Sequence, residues 1–290
     1  MKKFLKTFGW ILLYLSIYFT LQVIYTIVAG IIVAVKLIVQ NPGITSEEVQ
    51  QKIPLLIAQQ TTLAIIVSSI LAFGLYYLII KARKESFFEV CQFTKISWKN
   101  AALFVPVGIG MVFINGFLLS LIQKTEVMDD AFSKHIDLME QLLSGSPILL
   151  YLAVAIAAPF IEEIIFRGLI LKELRKNLSI KWAIVIQAIL FALYHMQLVQ
   201  GIYTFFMGIL LGLVCVWFKS IWPAIIIHLF NNLISVILSR MTNVEILNKL
   251  EIPILIVSLG VLVSVVIYAH RNRELEVEEI EENIEVPVNM

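Results

Sequence analysis

The sequence predicts an all-α membrane protein, a polytopic bundle of about eight transmembrane helices. Three observations predict it. Hydrophobic residues fill 60% of the 290 positions, and mean hydropathy is +0.91, where an ordinary globular domain is about 45–50% apolar. The apolar residues come in blocks of ~18–25 with few charges, the length that crosses a bilayer as helix. Lysine and arginine collect in alternate connections between blocks, as in a chain that weaves back and forth across a membrane.

The first block, Phe8 to Ile38, follows Lys2, Lys3 and Lys6. This start imitates a signal peptide, but the apolar run is too long and has no small-residue cleavage site, so it reads as an uncleaved span. It is long enough to tilt or to include an interfacial turn. An outer loop from Gln40 to Lys52 carries Asn-Pro-Gly turn chemistry, and Thr45 with Glu48 has the capping-box pattern of a short helix. Spans two and three run from Pro54 to Ile80 and from Ala101 to Ile122. The segment Lys124 to Ser146 alternates in charge and reads as an amphipathic helix on the outer surface. Spans four to eight follow: Pro147 to Leu171, Trp182 to Leu198, Ile202 to Phe218, Ile221 to Leu238 and Ile252 to Ala269. Gly208 and Gly212 have the small-xxx-small spacing that lets span six pack closely. Trp98, Trp182, Trp217 and Trp222 fall near the block ends, where interfacial anchors belong. The stretch Glu274 to Met290 is rich in glutamate, lacks an apolar run able to build a core, and reads as a disordered acidic tail.

The domain organisation follows. Residues 1–146 hold the N-terminal spans and outer loops, 147–240 a candidate catalytic membrane core, 241–273 the last span and 274–290 the tail. No internal repeat and no soluble catalytic domain stand out. The basic residues after spans two, four, six and eight (Lys81, Arg83, Lys172, Arg175, Lys219 and Arg271 among them) share one side, which predicts that both termini are cytoplasmic; the short loops and Lys-rich start read as bacterial, and the expected location is the plasma membrane. A net charge of +1 gives no reason to expect nucleic acid. Cys91 and Cys215 have neither metal nor redox spacing and read as free thiols.

Three polar motifs interrupt the hydrophobic stretches. They are Glu162-Glu163-Ile-Ile-Phe-Arg167, Phe191-Ala-Leu-Tyr-His195 and His228-Leu-Phe-Asn-Asn232. Ionisable groups at membrane depth are costly unless they pair or face a wet cavity. On a helix, residues four apart share a face and adjacent residues sit about 100° apart. Glu163 can therefore pair with Arg167, which leaves Glu162 free to face a cavity. His195 near a carboxylate could act as a general base or bind metal. His228 and Asn232 share a face and could donate two hydrogen bonds to one point, which suits a developing oxyanion. Each motif alone also fits a structural role: a braced ion pair with Glu162 snorkelling, an interfacial histidine, and interhelical glue. His135, in the outer segment, and His270, in the basic flank of the last span, read as solvated.

Together and in this order the motifs resemble the CPBP family of intramembrane proteases, the CAAX-processing and bacteriocin-processing enzymes also called the Abi family. Its pattern is Glu-Glu-x-x-x-Arg, then Phe-x-x-x-His, then His-x-x-x-Asn/Asp. The resemblance covers about Pro147 to Ile237. It implies hydrolysis of a peptide bond in a membrane-associated peptide or protein. By position, Glu162 and His195 would activate a water, His228 and Asn232 would stabilise the oxyanion, and Glu163 and Arg167 would support the site. The family is often labelled metalloprotease, and Glu162, His195 and His228 could supply ligands to zinc. No His-Glu-x-x-His helix is present, and a metal-free glutamate-activated water is the reading preferred here. A different class of function also fits: a non-proteolytic immunity or scaffold protein, as in bacteriocin self-immunity. One geometric requirement stands out. His195 lies roughly 20 Å along its span from Trp182, and His228 only about 10 Å from Ile221. The two meet only if spans five and seven are staggered or span seven starts deeper.

Overall fold

The computed structural model describes residues 2–124, 128–241 and 249–273. Eleven helices matter for the site: α1 (Lys2–Gln40), α2 (Ser46–Ala58), α3 (Thr61–Ala82), α4 (Phe87–Val90), α5 (Trp98–Gln123), α6 (Asp129–Leu143), α7 (Pro147–Arg175), α8 (Ile180–Tyr194), α9 (Leu198–Phe218), α10 (Trp222–Ser239) and α11 (Glu251–Arg271). Among the described residues no strand occurs, and seven of the helices are long and apolar enough to span a membrane. The protein is an all-α polytopic membrane protein.

The fifth expected span needs correcting. Trp182 to Leu198 is not one helix. α8 covers Ile180–Tyr194, 15 residues, or about 22 Å against a hydrocarbon core of about 30 Å. Hydropathy continues through Met196 and Leu198, but Met196 turns the chain with a positive φ of 53°, and α9 starts back at once. The second span also differs. Pro54 lies inside α2, the chain breaks at Gln59 and Gln60, and α3 begins at Thr61. The capping box is present: Glu48 N–H donates to Thr45 Oγ1 at 3.2 Å, and Thr45 N–H donates to Glu48 Oε2 at 2.9 Å. α1 is one unbroken helix of 39 residues, about 58 Å long, with no interfacial turn. The acidic run from Glu274 lies outside the described residues.

α7 is the central rod. It packs against α1, α3, α8, α9 and α10, so residues on most of its circumference are buried. Its register alternates: α-helical at Pro147–Leu150, π-helical at Tyr151–Ala157, α-helical at Ala158–Glu163, π-helical at Ile164–Ile170 and α-helical at Leu171–Arg175. The first widened stretch precedes Pro159, which has no N–H to return to the preceding turn and whose ring crowds it. The second carries Arg167 and Gly168. Such widened turns recur at functional sites because they re-aim side chains within a helix.

Glycines set the other distances. A Cβ on Gly208 would lie 3.0 Å from Ala188 Cβ, and one on Gly212 would lie 2.9 Å from Gln187 Nε2, so the small-residue spacing on α9 is what admits α8. A Cβ on Gly108 of α5 would fall 2.6 Å from the Ile227 carbonyl oxygen of α10. At the other end of the bundle, Ile221 N–H donates to the Gln92 carbonyl at 2.9 Å and Ser220 Oγ donates to Thr94 O at 2.6 Å. These bonds fix where α10 starts.

Candidate active site

Glu163 and Arg167 form the buried foundation. Arg167 Nη1 donates to Glu163 Oε1 at 2.8 Å, and both side chains are 0% exposed. The four-residue spacing delivers this contact directly. Arg167 Nη2 also donates to the Gly208 carbonyl at 3.3 Å, and its guanidinium lies 4.6 Å from the centroid of the Phe191 ring. Gln187 Nε2 donates to the same Gly208 carbonyl at 2.8 Å. One backbone oxygen of α9 thus ties α7 to α8. The only signal of Gln187 in the sequence is a lone glutamine in an apolar block.

His228 joins this foundation from α10. Its Nδ1 lies 2.7 Å from Glu163 Oε1. A carboxylate oxygen only accepts, so Nδ1 carries the proton. The opposite nitrogen, Nε2, faces Glu162 Oε2 at 3.7 Å. Glu162 keeps 15% of its side chain exposed, against 3% for His228. Neighbouring glutamates therefore occupy different worlds: Glu163 is consumed by Arg167 and His228, while Glu162 is the one that reaches open space.

His195 caps α8. Its Nδ1 donates to the Phe191 carbonyl at 2.8 Å, which leaves Nε2 of the neutral ring as the acceptor. Phe191 is the hub between the two imidazoles. Its ring meets His195 edge-to-face at 4.9 Å and His228 at 5.8 Å. The stagger that the sequence required between spans five and seven is thus met around one phenyl ring. Glu162 lies within electrostatic reach of His195 and of the phenols Tyr18, Tyr194 and Tyr203.

Asn232 sits on the same helix as His228 and is held by a chain of carboxamides. Asn115 Nδ2 on α5 donates to Asn231 Oδ1 at 3.2 Å, Asn231 Nδ2 donates to Asn232 Oδ1 at 3.0 Å, and Asn232 Nδ2 donates to the Val154 carbonyl at 2.9 Å. With its oxygen occupied, Asn232 presents only the second Nδ2 hydrogen as a free donor. Asn115 and Asn231 extend the site beyond the motif positions. Their role is invisible to spacing because Asn115 lies 116 residues away from Asn231.

His135 corrects its expectation. It is buried, 7% exposed, with Nδ1 at 3.1 Å from Gln197 Oε1 and its ring 6.3 Å from Tyr203. The amphipathic α6 turns this face onto the connection that follows His195. His270, by contrast, is exposed beside Arg273 and Trp217. Cys91 and Cys215 are free and buried.

The Nε2 atoms of His195 and His228 and the Glu162 carboxylate have suitable donor chemistry for zinc, and both Nδ1 atoms have the outer partners typical of ligating imidazoles. Among the described residues no group of three or more His, Cys, Asp or Glu side chains is drawn together as a metal-holding cluster.

The comparisons with known proteins come to one family. The family model described as Type II CAAX prenyl endopeptidase Rce1-like matches residues 144–234, from just before α7 into α10. All three motifs fall within it, which bears out the resemblance drawn from them. No match was found among curated proteins or solved structures.

Proposed function

We propose, from the premise that residues 144–234 match the CAAX endopeptidase family, that this protein hydrolyses a peptide bond in a membrane-associated peptide or protein. Glu162 takes a proton from a bound water, with the His195 Nε2 lone pair as its partner in proton handling. The hydroxide attacks the scissile carbonyl. His228 Nε2–H and the free Asn232 amide hydrogen then meet the developing oxyanion. Glu163 and Arg167 hold His228 in place without touching substrate. No step is routed through a metal. The excess of lysine and arginine in alternate connections supports a cytoplasmic N-terminus and a cytoplasmic end of α11, a reading that counts the short α8 as a crossing beside the seven longer helices.

One observation carries the reading. Glu162 Oε2 lies 3.7 Å from His228 Nε2 while the adjacent Glu163 is tied through Oε1 to both Arg167 and His228. A carboxylate left free beside two oriented imidazoles is arranged for chemistry, since bracing is already complete without it. The test uses purified full-length protein in proteoliposomes and an internally quenched peptide with an S-farnesylated CAAX end, alongside the same peptide without lipid. Wild type cleaves, and Glu162→Gln and His195→Ala lose activity while folding normally. Cleavage at the wild-type rate by either variant refutes the assignment. So does a wild type that leaves both peptides intact while no membrane polypeptide accumulates in cells carrying Glu162→Gln.

A further inference from the structure

Four tyrosines from three helices stack beside the candidate site, and three of their hydroxyls are used. Tyr14 OH accepts from Arg83 Nη1 at 2.6 Å. Tyr76 OH donates to the Tyr14 carbonyl at 2.7 Å. Tyr18 OH meets Ser69 Oγ at 3.3 Å. The fourth hydroxyl, Tyr194 OH, is buried and has no hydrogen-bond partner. Burying an unsatisfied hydroxyl is destabilising, and a phenylalanine would fill the same volume without that cost. The ring is held rigidly, 5.6 Å from Phe166 on α7 and 6.4 Å from a stacked Tyr18 on α1. Phe166 lies four residues after Glu162, on the same face of α7, and Tyr194 directly precedes His195.

We infer that Tyr194 is a substrate-binding residue whose hydroxyl donates a hydrogen bond to a main-chain carbonyl of the polypeptide in the site. The inference rests on the hydrolase reading. The chemistry selects the acceptor. The Glu162 carboxylate within reach opposes a second anion, so a substrate carboxylate is disfavoured there. A cation would use the hydroxyl only as an acceptor, as Arg83 uses that of Tyr14, and would leave its proton without a partner. A neutral peptide carbonyl fits both conditions, and every protease substrate brings several. The pre-positioned phenol needs no ordering when the peptide arrives, so the bond forms at little entropic cost.

The test is Tyr194→Phe in the full chain, with the farnesylated quenched peptide in proteoliposomes. KM rises roughly 3- to 10-fold with kcat nearly unchanged, the signature of a lost binding contact. The apparent unfolding midpoint stays the same or rises, because an orphan hydroxyl has been removed. Tyr18→Phe, which breaks the contact with Ser69, lowers the midpoint instead. Unchanged KM in Tyr194→Phe overturns the inference while Glu162→Gln remains inactive, so the hydrolase reading survives that result. A lowered midpoint in Tyr194→Phe also overturns it, since the hydroxyl then has a partner inside the protein, and this readout does not depend on activity. A fall in kcat alone overturns it too, placing the hydroxyl on the reacting water.

Discussion

Removing Arg167 tests whether the buried foundation works as a charge-compensated unit. Arg167 and Glu163 are both 0% exposed and 2.8 Å apart. Arg167→Met leaves the Glu163 carboxylate with the His228 bond alone, since Oε2 has no partner. Breaking a buried pair by deleting one partner costs ~3–5 kcal/mol. For a chain of this size each kcal/mol moves the midpoint by about 2–4 °C, so the variant unfolds roughly 6–20 °C below wild type. The double variant Glu163→Gln with Arg167→Met removes the stranded charge. Its amide oxygen still accepts from His228 Nδ1. The double is therefore more stable than Arg167→Met alone, although it carries one more substitution. The measurement is tryptophan fluorescence in detergent at a fixed scan rate, because membrane proteins commonly unfold irreversibly. If the double variant loses the sum of the two single losses, the sites are independent and the unit does not exist.

Two further outcomes follow from packing and burial. Gly108→Ala places a Cβ 2.6 Å from Ile227 O and 2.8 Å from Phe230 Cβ, so α5 must move off α10 one residue before His228. Stability falls by about 1–3 kcal/mol, and peptide cleavage drops roughly 10- to 100-fold from misplacement of His228. Gly116→Ala, in open space on the same helix, leaves both unchanged or slightly raises stability; equal effects at the two positions contradict the argument. Burial pushes the Cys91 thiol above its ordinary 9.0, and only a thiolate reacts fast, so Cys91 resists maleimide at pH 7 until the protein unfolds. With the folded value raised, its stabilising contribution is complete below about pH 9 and declines as the pH climbs past that point. Mapping by mass spectrometry of rapid native-state labelling at Cys91 contradicts this.

The fold and most of the candidate site were legible because both rest on short-range regularities. Span length reports crossing, and four-residue spacing reports a shared face, which is how Glu163 and Arg167 were paired and Glu162 was left over. What spacing cannot report is which neighbour a face meets. The contact between His228 Nδ1 and Glu163 joins residues 65 apart, and nothing local distinguishes it from a contact with Glu162. Hydropathy does not register the positive φ at Met196, so the end of α8 is not visible in the sequence. The polarity of its segment makes His135 read as solvated, whereas its burial comes from the docking of one face of α6 onto Gln197 and Tyr203. The carboxamide chain from Asn115 was out of reach for the same reason as His228: its links are tertiary.

Charge balance connects the buried foundation to the proposed chemistry. Glu162, Glu163 and Arg167 together carry one negative charge in excess, and a net charge held away from water is costly. The cluster is neutral when His228 carries a proton on each ring nitrogen. One proton is already committed to Glu163. In the proposed reaction the Nε2 position is the donor: it faces Glu162 at 3.7 Å, too far for a direct hydrogen bond and therefore open to an incoming group. In the proposed reaction that group is the scissile carbonyl oxygen, which accepts from Nε2–H as negative charge develops on it. The negative charge of Glu162 is offset when it takes the proton of the attacking water, so the cluster and the intermediate exchange charge without importing any. Arg167 is what makes this balance hold: without it Glu163 would compete with the oxyanion for the imidazolium. In the proposed mechanism the ion pair at the bottom of the site thus supports the donor at the top, even though Arg167 lies too deep to touch a substrate.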